Sequence, residues 1–219
     1  MVGSSARKAV PIFVALFLVF FMRNIAAVDE NFAAPKVKPI TAPFLKAKQL
    51  WSEGQVQKAI HALEKVDDDR LNSEDQSLKY FALGIWSHEM QFYNEAISHF
   101  KKSATIDNDL KIYNDYHLGV SYKALRDWGN ARKHLQKARS KGAPRNIQLQ
   151  TRFELSDVDM QQQKWTSAYR HLKYLERKWR YGEKYADVLW RLLQVEIKRK
   201  RKRRSCWWAR KLYTRYPAH

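Results

Sequence analysis

The feature that most restricts this chain is a near-period of about 35 residues. Leu83-Gly84 recurs 35 residues later as Leu118-Gly119, and Ala96 recurs at the same distance as Ala131. Between them Tyr93 matches Trp128 and Phe100 matches Leu135. A weaker copy runs through Leu155-Ser156, Trp165, Ala168 and Leu172, and an earlier one through Ala47, Leu50, Gly54, Val56, Ala59 and Leu63. Ala209 and Tyr213 suggest a fifth, so the matched alanines stand 37, 35, 37 and 41 residues apart. A unit this short is one supersecondary element that cannot bury its own apolar face, so copies must stack. From residue 44 onward the pattern is amphipathic helix, with few alternating β-branched runs and no hairpin dipeptides. The expectation is an all-α chain of helical hairpins.

The best copy reads Leu118-Gly119, Tyr122, Trp128, Ala131, Leu135, Ala138 and Pro144. It resembles the tetratricopeptide (TPR) pattern, a helix–turn–helix of 34 residues. Small residues suit the places where the two helices cross, because bulk there would force the axes beyond 8–10 Å. The resemblance implies a TPR-like helical-hairpin solenoid, a right-handed superhelix of four to five repeats over residues 44–219. Repeats are expected at about 44–76, 77–111, 112–147, 148–185 and 186–219, with a basic insertion at 198–204. Gln91, Arg126 and Ser156 depart from the expected glycines. The first helix of each TPR pair lines the concave side, which implies a protein-binding groove holding Trp51, Phe81, His88, Tyr113, Tyr116, Lys123, Phe153 and Asp157. Such a surface suits an extended peptide or a helix. The Lys and Asn set of the TPR clamps for terminal carboxylates is absent.

Ahead of the repeats, Arg7 and Lys8 precede an uncharged apolar run from Ala9 to Met22, and Ile25, Ala26 and Ala27 follow Arg23. A basic start, a short apolar core and small residues form a secretory signal pattern. Residues 1–27 are therefore expected to be a signal peptide, cut best at Ala27/Val28, or an N-terminal membrane anchor. Either places the solenoid outside the cytoplasm, in the periplasm or tethered to a membrane. Pro35, Pro39 and Pro43 mark residues 28–43 as an extended linker.

Charge is unevenly placed. The chain carries +19 overall, and residues 164–219 hold 18 Lys and Arg against four acids, while residues 28–163 are nearly neutral. Lys198, Arg199, Lys200, Arg201, Lys202, Arg203 and Arg204 are seven consecutive cations. They suit contact with an anionic membrane or cell-wall surface, where each contributes about 1 kcal/mol near charged lipid. They also fit a solvated loop, or nucleic-acid contact aided by Trp207 and Trp208.

No constellation for catalysis stands out: there is no phosphate-cradling glycine loop, nucleophile elbow or paired cysteine. No cofactor and no metal site is expected. His99, His134 and His171 share one repeat position on different helices, too far apart to share one ion. The acidic group Asp67-Asp68-Asp69 with Glu74-Asp75 lacks the alternation and glycine of a calcium loop. Cys206, the single cysteine, reads as a buried apolar residue beside Trp207 and Trp208. The leading expectation is a non-enzymatic scaffold of the cell envelope that binds a protein or peptide, with self-association through the last repeat as a further prospect. Two alternatives stand beside it. The chain also looks like the N-terminal helical module of a larger cell-wall enzyme such as a lytic transglycosylase, and the basic end would suit a nucleic-acid-binding adaptor.

Overall fold

Five times among the described residues a helix ends, three residues pass and the next helix begins. The computed structural model describes residues 42–106, 110–180 and 184–217. The hairpins formed are α1 (Ala42–Ser52) with α2 (Val56–Glu64), α3 (Ser73–Glu89) with α4 (Tyr93–Thr105), α5 (Lys111–Ala124) with α6 (Trp128–Ala138), α7 (Arg145–Gln161) with α8 (Trp165–Lys178), and α9 (Tyr185–Lys198) with α10 (Lys202–Arg215). Among the described residues there is no strand. The expected leader or anchor at 1–27 lies outside them, as does the linker up to residue 41. Helix α1 already includes Pro43, in a first turn where a missing N–H breaks no helical bond. No helix among the described residues is long and apolar enough to cross a membrane.

All five turns share one mechanism. The middle residue has a left-handed backbone: Gly54 (φ 78°), Gln91 (66°), Arg126 (60°), Gln163 (57°) and Lys200 (57°). Its N–H donates three residues back and the next N–H donates five back. Gln91 bonds His88 at 3.0 Å and Phe92 bonds Ser87 at 2.8 Å; Lys200 bonds Ile197 at 2.9 Å and Arg201 bonds Glu196 at 3.0 Å. This Schellman pair satisfies carbonyls that the helix end would leave open. Only the first hairpin supplies the glycine that the geometry favours. Gln91→Gly should therefore raise stability by about 0.5–1 kcal/mol by relieving the left-handed cost. The check is a higher urea midpoint at unchanged slope; an unmoved midpoint there and in Arg126→Gly would refute the strain.

The turns also correct the expected insertion at 198–204. Lys198 closes α9, Arg199–Arg201 form an ordinary three-residue turn and Lys202–Arg204 open α10. From Gln163 to Lys200 is 37 residues, as from Gly54 to Gln91. The residue in register with Ala59, Ala96, Ala131 and Ala168 is thus Ser205, and Ala209 matches Leu172. The sequence spacing misleads here because Lys200 occupies a glycine site and a serine replaces the marker alanine.

The chain divides at Lys65 into two units. The described part of the first is the α1–α2 hairpin, closed over the fully buried Ala47 and Ala59. In the second, Val66–His219, each hairpin packs internally and each second helix packs on the next first helix, α4 on α5, α6 on α7 and α8 on α9. In the second and third hairpins the close crossing depends on glycine. A Cβ on Gly84 would stand 2.6 Å from the Phe100 ring, and one on Gly119 would stand 2.5 Å from Leu135 Cγ. At the head of this unit the acidic group serves structure. Asp67 accepts from the Asp69 N–H, while Asp68 takes the Lys79 ammonium at 2.7 Å and the Tyr80 hydroxyl. Burial works against the Asp68 carboxylate, but those two donors outweigh it and hold its pKa below the ordinary value.

Candidate protein-binding face

With the left-handed residue as origin, the position ten residues earlier is aromatic in every hairpin: Phe44, Phe81, Tyr116, Phe153 and Trp190. Each sits on a first helix. Phe81 is half-buried, edge-on to Phe100 at 5.8 Å and to His117 at 5.5 Å. Tyr116 is half-buried against His117, and burial with the nearby Glu154 charge raises its pKa. Phe153 is only 7 % exposed, tilted against Trp179, with the Arg191 guanidinium 3.9 Å over its ring and the Lys184 ammonium at 5.3 Å. Trp190 is 48 % exposed. Within the second unit the row from Phe81 to Trp190 thus passes from packing to open surface at its last member.

Beside the column runs a chain of ions across three consecutive first helices. Lys123 on α5 bonds Glu154 and lies 3.4 Å from Asp157, both on α7. Asp157 in turn takes Arg191 of α9. Burial opposes the Lys123 charge, yet the two carboxylates overcome it and hold its pKa above the ordinary lysine value. Of the other expected groove residues, His88 bonds Ser121 across to α5 at 2.9 Å and meets Tyr93 edge-on at 5.2 Å. Burial, with Lys123 nearby, keeps its imidazole below the ordinary value. Tyr113 is half-buried on α5, and burial raises its hydroxyl pKa. Trp51 is half-buried on α1, in the first unit. The structure therefore brings Lys123, Asp157 and Phe153 into one network and puts Phe81 into the packing between hairpins. Glu154, Trp190 and Arg191 were missed. Trp190 was legible once Lys200 is aligned with Gln163; Glu154 and Arg191 sit one residue past the aromatic column, where no rule of composition marks them.

The seven cations of the basic run do not act alike. The Arg199 side chain is 12 % exposed, 3.4 Å from the fully buried Glu196 and 4.5 Å over the Tyr169 ring. Arg204 lies 3.8 Å from the same carboxylate. Lys198, Lys200, Arg201, Lys202 and Arg203 are exposed. Cys206 is exposed on α10 rather than buried, because the side of the helix turned inward carries Trp208 and Leu212. The three histidines of the shared position have separate partners: His99 stacks on Tyr80, His134 bonds Asp115 at 2.8 Å, and His171 lies 3.7 Å from Asp159. Among the described residues no three metal-ligating side chains converge.

No family model and no curated protein matches the sequence. Solved structures do match. YrrB, described as a TPR protein with an unusual peptide-binding site, aligns over 82 % of this chain and 88 % of its own at 15 % identity and a TM-score of 0.66. MamA aligns over 77 % and 92 % at 15 % identity and 0.67. TPR-like repeats from Podosopora anserina align over 79 % and 92 % at 14 % identity and 0.64. The fold is a TPR-like helical solenoid. At these identities the likeness rests on backbone geometry, which the five like turns and, in two hairpins, a glycine at the helix crossing secure. The solenoid keeps the geometry with few of the usual marker residues.

Proposed function

We propose that the chain is a non-enzymatic TPR scaffold of the cell envelope that binds a protein or peptide partner along its first-helix face. The observation that carries this is the aromatic column ending in the exposed Trp190, flanked by the Lys123–Glu154–Asp157–Arg191 chain. An exposed tryptophan beside fixed charges is the composition of an interface anchor. The peptide-binding site named for YrrB supports a peptide partner for a solenoid of this shape. The envelope assignment rests on the signal-like residues 1–27 and makes the mature solenoid extracytoplasmic.

Affinity capture with the full chain tests the face. Trp190→Ala, at an exposed position, should leave helix content unchanged and weaken capture of a specific partner at least tenfold. The same partners retained at full strength would reject the face. N-terminal sequencing of the exported chain tests the compartment, with a start at Val28 expected for a cleaved signal.

A further inference from the structure

A surface cleft opens where the turn of the α7–α8 hairpin lies beside the turn of the α9–α10 hairpin. Lys164, Thr166, Ser167, Arg170, Arg199 and Arg201 line it, with Trp165 as its apolar wall. Four of these side chains are cations, and among the described residues no carboxylate lines the cleft. One of the four is already fixed in place: Glu196 and the Tyr169 ring hold the Arg199 guanidinium at the wall of the cleft. Glu196 is fully buried and offsets Arg199 alone among these cations. Lys164, Arg170 and Arg201 are exposed, so three full charges face one opening. Their mutual repulsion is relieved by an anion there and by nothing on the lining itself.

The hairpin before it offers an internal comparison. At the start of α6 the Asp127 carboxylate accepts from the Asn130 N–H at 3.1 Å. At the start of α8 the residue in that place is Lys164, whose ammonium turns back to Gln162 at 2.7 Å. The solenoid supplies its own oxyanion at one site. At the next, the described lining offers four cations, two hydroxyls and no acid.

We propose that this cleft binds a phosphate group, with Arg170 and Arg201 as guanidinium forks, Arg199 as the pre-positioned third cation and the Thr166 and Ser167 hydroxyls as further donors. Planar guanidinium donors match the oxygen spacing of phosphate, and a doubly charged oxyanion gains more from three cations than a carboxylate does. The cleft is open, so the group is presented on a soluble phosphate or on the headgroup of a lipid. The site uses none of the residues of the peptide-binding face, and its failure would leave that reading intact.

The test follows the backbone amide signals of Trp165 and Thr166 in the full chain at physiological salt, titrated with inorganic phosphate and pyrophosphate. Saturable shifts at both amides are expected, tighter for pyrophosphate. Arg170→Glu and Arg201→Glu should each weaken binding at least tenfold. Lys133→Glu, which makes the same charge change at an exposed site on α6, should weaken it less than twofold. Vesicles of phosphatidylcholine with and without phosphatidic acid separate the sources. Binding that needs phosphatidic acid and is displaced by pyrophosphate assigns the headgroup; pyrophosphate binding without vesicle binding assigns a soluble phosphate. Shifts that do not saturate, or an equal loss in Lys133→Glu, would overturn the site in favour of diffuse attraction to a basic helix.

Discussion

Phe100→Ala should cost about 3–5 kcal/mol of unfolding free energy, as full truncation of a buried aromatic does. The ring is fully buried and lies directly over Gly84, where a Cβ would come within 2.6 Å of it. The glycine on α3 leaves room at that crossing for the ring that α4 presents. Gly84→Ala alone should therefore destabilise by about 1–3 kcal/mol, since overpacking outweighs the roughly 1 kcal/mol that alanine gains over glycine in a helix. In the Phe100→Ala background the same Gly84→Ala change should reverse sign and stabilise, because its methyl enters vacated space and the helix preference is left unopposed. The sign reversal across the cycle is the decisive reading, measured from urea midpoints of the four proteins. Additive losses would mean that the two residues do not share a contact and that the crossing is set elsewhere.

The same pair shows what was legible in the sequence. Gly84 and Gly119 announced the crossing, since glycine is costly inside a helix unless something must come close. The partners Phe100 and Leu135 stood at matching distances. Elsewhere the marks were absent although the structure is identical. Gln91, Arg126, Gln163 and Lys200 adopt the turn that Gly54 adopts, because two backbone hydrogen bonds per turn outweigh a left-handed cost of about 1–2 kcal/mol. Lys200 hid the fifth turn within seven cations, and Ser205 replaced the alanine that would have aligned it. In the sequence the run therefore looks like an insertion, and nothing marks Trp190 as the end of its column. The ion chain was half legible: Lys123 and Asp157 follow from repeat register, whereas Glu154 and Arg191 are fixed by which first helices lie side by side, a relation no single repeat contains.

The chain should lose stability as pH falls below about 6.5, and His117 should account for a measurable share of the loss. His117 is stacked on Phe100 at 5.3 Å and edge-on to Phe81 at 5.5 Å, between two hairpins. Burial, with His88 adding repulsion, pushes its pKa down to about 3. His171 is pushed down to about 4 by burial, the nearby Asp159 charge opposing the fall only in part. An unfolded histidine titrates near 6.5. Between that value and the folded one, the unfolded chain holds a proton that the folded chain refuses, so unfolding gains as pH drops. The stability due to each neutral imidazole is complete above about 6.5. It declines by at most ~1.4 kcal/mol per pH unit down to the folded value. Both rings are only partly enclosed, which reduces the loss at pH 5 to about 1–2 kcal/mol each. His117→Phe keeps a ring in the stack and removes the titration. Urea midpoints at pH 7 and pH 5 should then differ less in the variant than in the parent by about that amount, and the comparison cancels the titrating groups that do not interact with His117. An unchanged difference would mean that the imidazole accepts its proton in place. The contact between Phe81, Phe100 and His117, which joins the second and third hairpins, would then be looser than its 5.3–5.8 Å ring spacings imply.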